Sequence, residues 1–345
     1  MRTITTLLSL IAFFFGTNCL AGELKIFTWE DYISDTLIRE FEDTYGHTVS
    51  QIYFENEMLR DVVVYSGKAL AYDIFIIDGL TLRELGESGH LAKLSGLLDQ
   101  ESANFTKASN QVCGPYGIPY SQGTMGIGYR TTKVDREINS WMDIFDYARD
   151  NPQTVVIPND DIDTTAIALL ALGFNPMTED KNELEQAYNL LMKTHKDLLA
   201  FRTSIGYVLD KKTDSKMEMA ILYSGEKEQV SSTTNQEDWV YTIPNEGTLL
   251  WHECLSAHIQ KSISKASIEF LNFINRPDNA VKNAEEMWFT SSNQYVLDSA
   301  SEEYLHDEEL FPENLDSDTS FSYKRLSTEA ENFRSQILTV LQNSK

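Results

Sequence analysis

The chain has 345 residues, with 53 acidic against 28 basic side chains and a formal net charge of −25. This balance repels phosphate backbones and anionic lipid, so it excludes nucleic-acid binding, while it suits either a cationic ligand or simply a solvated surface. Setting aside an export signal of 21 residues leaves 324, enough for two lobes with separate cores.

The signal is the first element in chain order. Arg2 supplies a positive start, residues 7–16 are apolar, and Cys19-Leu20-Ala21 places small residues at the positions that decide cleavage, which is read after Ala21. A lipoprotein signal processed at Cys19 is the alternative, disfavoured by Asn18 ahead of it. The apolar run is shorter than the roughly twenty residues a membrane span needs.

Leu24 to Phe27 reads as a strand ending at Trp29-Glu30-Asp31-Tyr32. A helix capped by Ser34 follows, with Leu37, Phe41 and Tyr45 on one face and Gly46 as its stop. Thr48 to Phe54 reads as a second strand, a helix passes through Met58, Val62 and Tyr65, and Tyr72 to Ile77 is a third strand before a helix near Thr81 to Leu85. This β-α-β-α-β order predicts a parallel sheet with right-handed crossovers. The pattern resumes with a strand at Thr154 to Ile157, helices from about Asp163 to Leu172 and Glu183 to His195, and a strand at Met219 to Tyr223. Ile263 to Ile274, Ala280 to Trp288 and Thr328 to Gln342 read as further helices, and the acidic stretch from Ser301 to Asp318 as a solvated loop.

Open α/β sheets bind ligands at the carboxyl ends of their strands, and there acids recur beside aromatics. Trp29 to Tyr32, Asp78, Asp160 with Asp163, Tyr223 with Glu226, and Trp251 with Glu253 all occupy such places. An extended polyammonium ligand needs this alternation, carboxylates for its nitrogens and aromatic walls for its methylene spans. Simpler roles exist for each piece. Asp78 and Asp160 could cap helices, Trp29 and Trp251 could be core aromatics, and Glu253 could pair with His252 at the surface. No H-E-x-x-H, G-x-S-x-G, Walker loop or Cys/His metal cluster is present, so catalysis, a cofactor and a metal are not expected, although paired acids keep a secreted glycoside hydrolase as a remote alternative. Cys113 and Cys254 remain after processing, either as one bridge or as two separate thiols.

At these residues the chain resembles the periplasmic spermidine/putrescine-binding proteins. Phe27-Thr28-Trp29-Glu30-Asp31-Tyr32 looks like that family's strand-end motif, which implies Trp29 and Tyr32 as walls and Asp31 as an amine acceptor. The resemblance further implies Asp160 and Asp163 at one end of the ligand, Tyr223 in place of a tryptophan, and Glu226 as an acid of the putrescine type. Trp251 and Glu253 match a Trp-x-Asp motif, and Phe289 stands where tyrosine is usual. Glu30 for a small hydroxyl residue, Leu80 for an aromatic and Cys254 for serine are departures that leave the preferred polyamine open.

The resemblance implies an α/β, two-lobed periplasmic binding protein fold, each lobe a mainly parallel sheet flanked by helices and joined by a hinge. The expected boundaries are 22–125 and 252–297 for lobe 1, and 126–251 and 298–345 for lobe 2. The pattern is nearest the sensory branch, which implies a monomer in the periplasm that closes on spermidine or norspermidine. Its partner would be the periplasmic domain of a membrane-bound cyclic-di-GMP enzyme controlling biofilm formation. The alternative is the binding component of a polyamine ABC importer, with a permease as partner.

Overall fold

The computed structural model describes residues 22–54, 57–259, 262–312, 315 and 318–344, and the export signal with its cleavage point lies outside them. The first unit runs β1 (Glu23–Thr28), α1 (Asp35–Tyr45), β2 (Thr48–Tyr53), α2 (Glu57–Tyr65), β3 (Ile74–Asp78) and α3 (Gly79–Glu87), followed by α4 (Lys107–Cys113). The chain then enters a long strand, β4 (Ile118–Arg130), and α5 (Met142–Asp150). The second unit holds β5 (Val155–Ile157), α6 (Asp161–Ala171), α7 (Lys181–Thr194), β6 (Ala200–Phe201), α8 (Ser204–Lys211), β7 (Met219–Tyr223), α9 (Glu226–Thr234) and β8 (Trp239–Thr242). After these come β9 (Thr248–Ser256), α10 (Lys265–Asn275), α11 (Pro277–Met287), β10 (Thr290–Ser291), α12 (Gln294–Ser299), α13 (Glu302–Leu305), β11 (Ser320–Ser322) and α14 (Thr328–Ser344).

Local chemistry explains the element ends. Ser34 accepts from the Leu37 amide to start α1, and Gly46, at φ 70°, provides the left-handed residue that ends it. In each unit the first strand lies between the next two, β1 between β2 and β3, β5 between β6 and β7, all paired in parallel. This is the α/β arrangement that the strand-helix alternation predicts.

Two strands pass through both units. β4 pairs antiparallel with β9 from Ile118 to Thr124 and with β7 from Met125 to Tyr129. β9 pairs with β3 through Cys254 to Ser256 and, at its other end, with β11 through Thr248 to Leu250. The cores change over at the same points. Ile118, Tyr120 and Leu255 are buried with Leu24, Ile26 and Phe41, whereas Met125, Ile127 and Leu249 are buried with Val155, Leu169 and Ile221. Gly123 sits at the changeover because a Cβ there would come within 2.2 Å of Ser224 Oγ and 2.4 Å of the Trp251 indole.

The final passage differs from the expected boundary at 298. Tyr304 and Leu310 belong to the first core, held by the Tyr304 hydroxyl on Phe289 O at 2.6 Å, Thr290 Oγ1 on Leu310 O at 2.9 Å, and the Trp288 indole on Asp307 at 3.1 Å. Only from Phe321 onward does the chain pack in the second core. The stretch from Ser301 to Asp318 is therefore not simply a solvated loop, and Glu309 within it is buried.

Helix α2 also departs from its expected orientation. Val62 and Tyr65 are exposed, and the inward face carries Val64 and the fully buried Arg60. Cys113, at the end of α4, and Cys254, on β9, form a disulfide with Cα atoms 5.8 Å apart.

Candidate functional site

The ends of β1, β3, β5 and β7 and the middle of β9 lie between the two cores, each wall carrying acids and aromatics, so Trp251 and Glu253 stand within their strand and not at its end. On the first wall β1 stops at the buried Thr28, and the chain turns through residues 29–32. The Trp29 indole lies 4.3 Å from the Phe54 ring and donates to Glu253 Oε1 at 3.1 Å. Glu253 is buried, and its second oxygen has no hydrogen-bond partner among the described residues. Tyr32 shares a hydroxyl hydrogen bond with Ser121 at 2.8 Å and stacks on Phe289, whose ring centre is 5.5 Å away.

The second wall is built at the N-terminus of α6. Asp160 caps that helix, accepting from the Ile162 and Asp163 amides at 2.9 Å each. Asp163 accepts one phenol from Tyr223 and another from Tyr323, the latter at 2.7 Å, so both of its oxygens are engaged. Glu226 opens α9 and accepts from the Tyr223 amide at 3.0 Å. Trp251 donates its indole N–H to Thr124 O at 3.2 Å, next to the changeover glycine.

The electrostatics show how close the walls are. Burial pushes Glu253 up to about 8, only partly opposed by the Arg60 charge. Burial, then the neighbouring Asp163 and Asp161, push Asp160 up to about 8, and burial also takes Glu226 to about 8. Glu57 lies near enough to Asp78 on its own wall, and to Asp160 and Glu253 on the two walls, to feel their charge. Its side chain keeps 40% of its surface open, as a group lining a cleft does. Tyr32 feels Glu253 from its own wall and Glu226 from the other. Such a concentration of buried carboxyl groups is unfavourable unless protons or cations neutralise it.

Other residues named from the sequence are differently placed. Glu30 and Asp31 are exposed in the turn after β1, and Asp31 accepts from Gln229 Nε2 of α9, in the second unit, at 2.5 Å. Asp78 is fully engaged, capping α3 through the Leu80 and Thr81 amides and receiving Arg60 Nη2 at 2.6 Å. Phe289 is buried behind Tyr32, so it supports a wall without forming one. Glu253 is not a surface partner of His252. The residues missed are Glu57, Arg60, Tyr323 and Glu309. Glu309 reaches from the first core to accept from the Gly225 amide at 2.7 Å, at the start of α9. A sidedness test on α2, pairing residues 57, 60 and 64 on one face, would have found the first two.

Comparison with known proteins agrees with this architecture. Residues 36–312 match the family of bacterial extracellular solute-binding proteins, and the chain belongs to it. It is 27% identical over 273 residues to a norspermidine sensor of Vibrio cholerae, covering 79% of this chain and 76% of that one. It is 23% identical over 298 residues to a spermidine/putrescine-binding periplasmic protein of Escherichia coli, covering 84% and 83%. Among solved structures, a putative spermidine/putrescine ABC transporter from Listeria monocytogenes superposes with a TM-score of 0.82 over 94% of this chain and 99% of that one, at 23% identity. The fold is that of the two-lobed periplasmic binding proteins.

Proposed function

We propose that this solute-binding protein binds an extended polyamine in the periplasm, between its two lobes, and that lobe closure on the ligand is its output. One observation carries the reading: buried carboxyl groups on two facing walls alternate with Trp29, Tyr32, Tyr223 and Tyr323, and Glu253 keeps an oxygen free of any hydrogen bond among the described residues. A ligand ammonium relieves the repulsion between these groups, and aromatic faces cover the methylene spans between nitrogens. Spermidine and norspermidine carry three nitrogens, and acids stand on both walls to receive them. Asp160, Asp163, Glu226 and Glu253 would receive the amines, while Trp29, Tyr32, Tyr223 and Trp251 would wall them.

The likeness to a norspermidine sensor favours a signalling partner, the periplasmic domain of a membrane-bound cyclic-di-GMP enzyme. The likeness to spermidine/putrescine-binding proteins favours a second reading, delivery to an ABC permease. Native mass spectrometry of the purified protein, followed by calorimetry with putrescine, spermidine and norspermidine, tests the ligand class. Saturable binding of a polyamine is expected, and no binding of any of them refutes the reading. A membrane pull-down tests the output: a cyclic-di-GMP enzyme is expected, and recovery of a permease alone would replace the sensor with the importer.

A further inference from the structure

We propose that Arg60 is a specificity-determining residue: its guanidinium fills, from inside the fold, a cation place beside Asp78 that a ligand nitrogen would otherwise take. The inference deepens the polyamine reading and rests on it.

Asp78 and Glu253 are register partners on the antiparallel strands β3 and β9. Directly opposed side chains of that kind share a face, with Cβ atoms about 4.5–5.5 Å apart, and like charges so placed repel. Arg60 meets this pair from α2. Its Nη2 lies 2.6 Å from Asp78 Oδ2, its Nε 2.9 Å from Asp61 Oδ1, and its Nη1 3.7 Å from Glu57 Oε1. The side chain has no solvent exposure, and the Phe54 ring centre lies 5.8 Å from the guanidinium carbon. Carboxylates on several sides with an aromatic face nearby are the surroundings a bound ammonium requires, and Arg60 already has them.

The first wall therefore has one cation built in. Both oxygens of Asp78 already accept hydrogen bonds, one of them from Arg60, whereas Glu253 Oε2 and Arg60 Nη1 are both buried without a hydrogen-bond partner among the described residues. The wall accepts one ligand nitrogen, at Glu253, where it could otherwise accept two. Polyamines with fewer nitrogens are favoured over spermine for that reason.

Calorimetry on the wild-type protein, Arg60→Met and Arg60→Lys, with norspermidine and spermine at fixed salt, tests this. In R60M the spermine-to-norspermidine affinity ratio is expected to rise by about tenfold or more, the scale of one buried ion contact, and in R60K to stay near the wild-type value. Because R60M leaves Asp78 facing Glu253, the double variant Arg60→Met with Asp78→Asn, which restores the wall charge and keeps a capping side chain, is measured beside it. Its ratio is expected to return to the wild-type value. An unchanged ratio in folded R60M, or a ratio still raised in the double variant, overturns the assignment of Arg60 while leaving polyamine binding intact. A wild-type protein that binds neither amine overturns both.

Discussion

Trp29 and Glu253, 224 residues apart in sequence, meet at 3.1 Å through a single indole hydrogen bond that uses one carboxylate oxygen and leaves its buried twin free. A group so poised loses most when its charge is removed. Glu253→Gln is expected to weaken polyamine binding by about 2–4 kcal/mol, and Trp29→Phe by about 1 kcal/mol through the lost positioning of Glu253. Calorimetry decides, and an E253Q affinity equal to the wild type would remove Glu253 from the site.

Binding is expected to release protons. In the ligand-free cleft Glu253, Asp160 and Glu226 are each held at about 8 by burial, so at pH 7 they are largely protonated. An ammonium favours the carboxylate form, so affinity should rise as pH goes from about 6 to 7.5, before the ligand's central nitrogen begins to lose its own proton. Titrations in two buffers of different ionisation enthalpy give the proton count directly. A count of zero contradicts the assignment.

The same groups set the stability of the empty protein. Their folded values lie above their unfolded ones, so between about pH 4.5 and 8 the native state binds more protons than the unfolded chain. Stability linked to them is fully present at the acid end of that window and declines as pH rises through it. Melting at pH 5.5 should therefore occur at a higher temperature than at pH 8, and saturating polyamine should narrow the gap. Equal melting temperatures without ligand would argue against buried, raised carboxyl groups.

The Cys113–Cys254 disulfide closes a loop of 141 residues, which on chain-entropy grounds is worth up to about 5 kcal/mol, with 2–5 kcal/mol the usual range. It ties α4 to β9 among Phe27, Phe75 and Ile77 on the first unit, so Cys113→Ser with Cys254→Ser should lower the melting temperature and leave the ligand order unchanged. Differential scanning calorimetry with and without reductant measures the first effect. A changed ligand order would show that the bridge shapes the cleft.

Much of the fold was legible because strand and helix periodicities are local. The Ser34 cap, the Gly46 stop and the β-α-β order each need only a few neighbouring residues. The site was legible where a motif coincided with a strand end, as at Trp29 and Asp160, whereas Glu253 was found by its motif although it lies inside β9. It was not legible where the decisive contact spans the chain. Arg60 draws no notice in the sequence, because its partner Asp78 lies 18 residues on and is brought beneath it only by β3. Tyr323 lies far along the sequence from Asp163, beyond a stretch whose acidity suggested solvent. Glu30 and Asp31 misled for the opposite reason: they adjoin a correct residue, but the alternation of β1 ends at Thr28 and no longer fixes which way they face.

The two strands that run unbroken from one core to the other constrain what the lobes can do. β4 and β9 are hydrogen-bonded to each other along the passage, from Ile118 to Thr124 against Leu255 to Leu250, so the lobes cannot slide past one another without breaking that ladder. Bending across the paired strands keeps it intact. Motion of the lobes is thereby confined to one axis, and a bend there leaves every hydrogen bond of the passage in place.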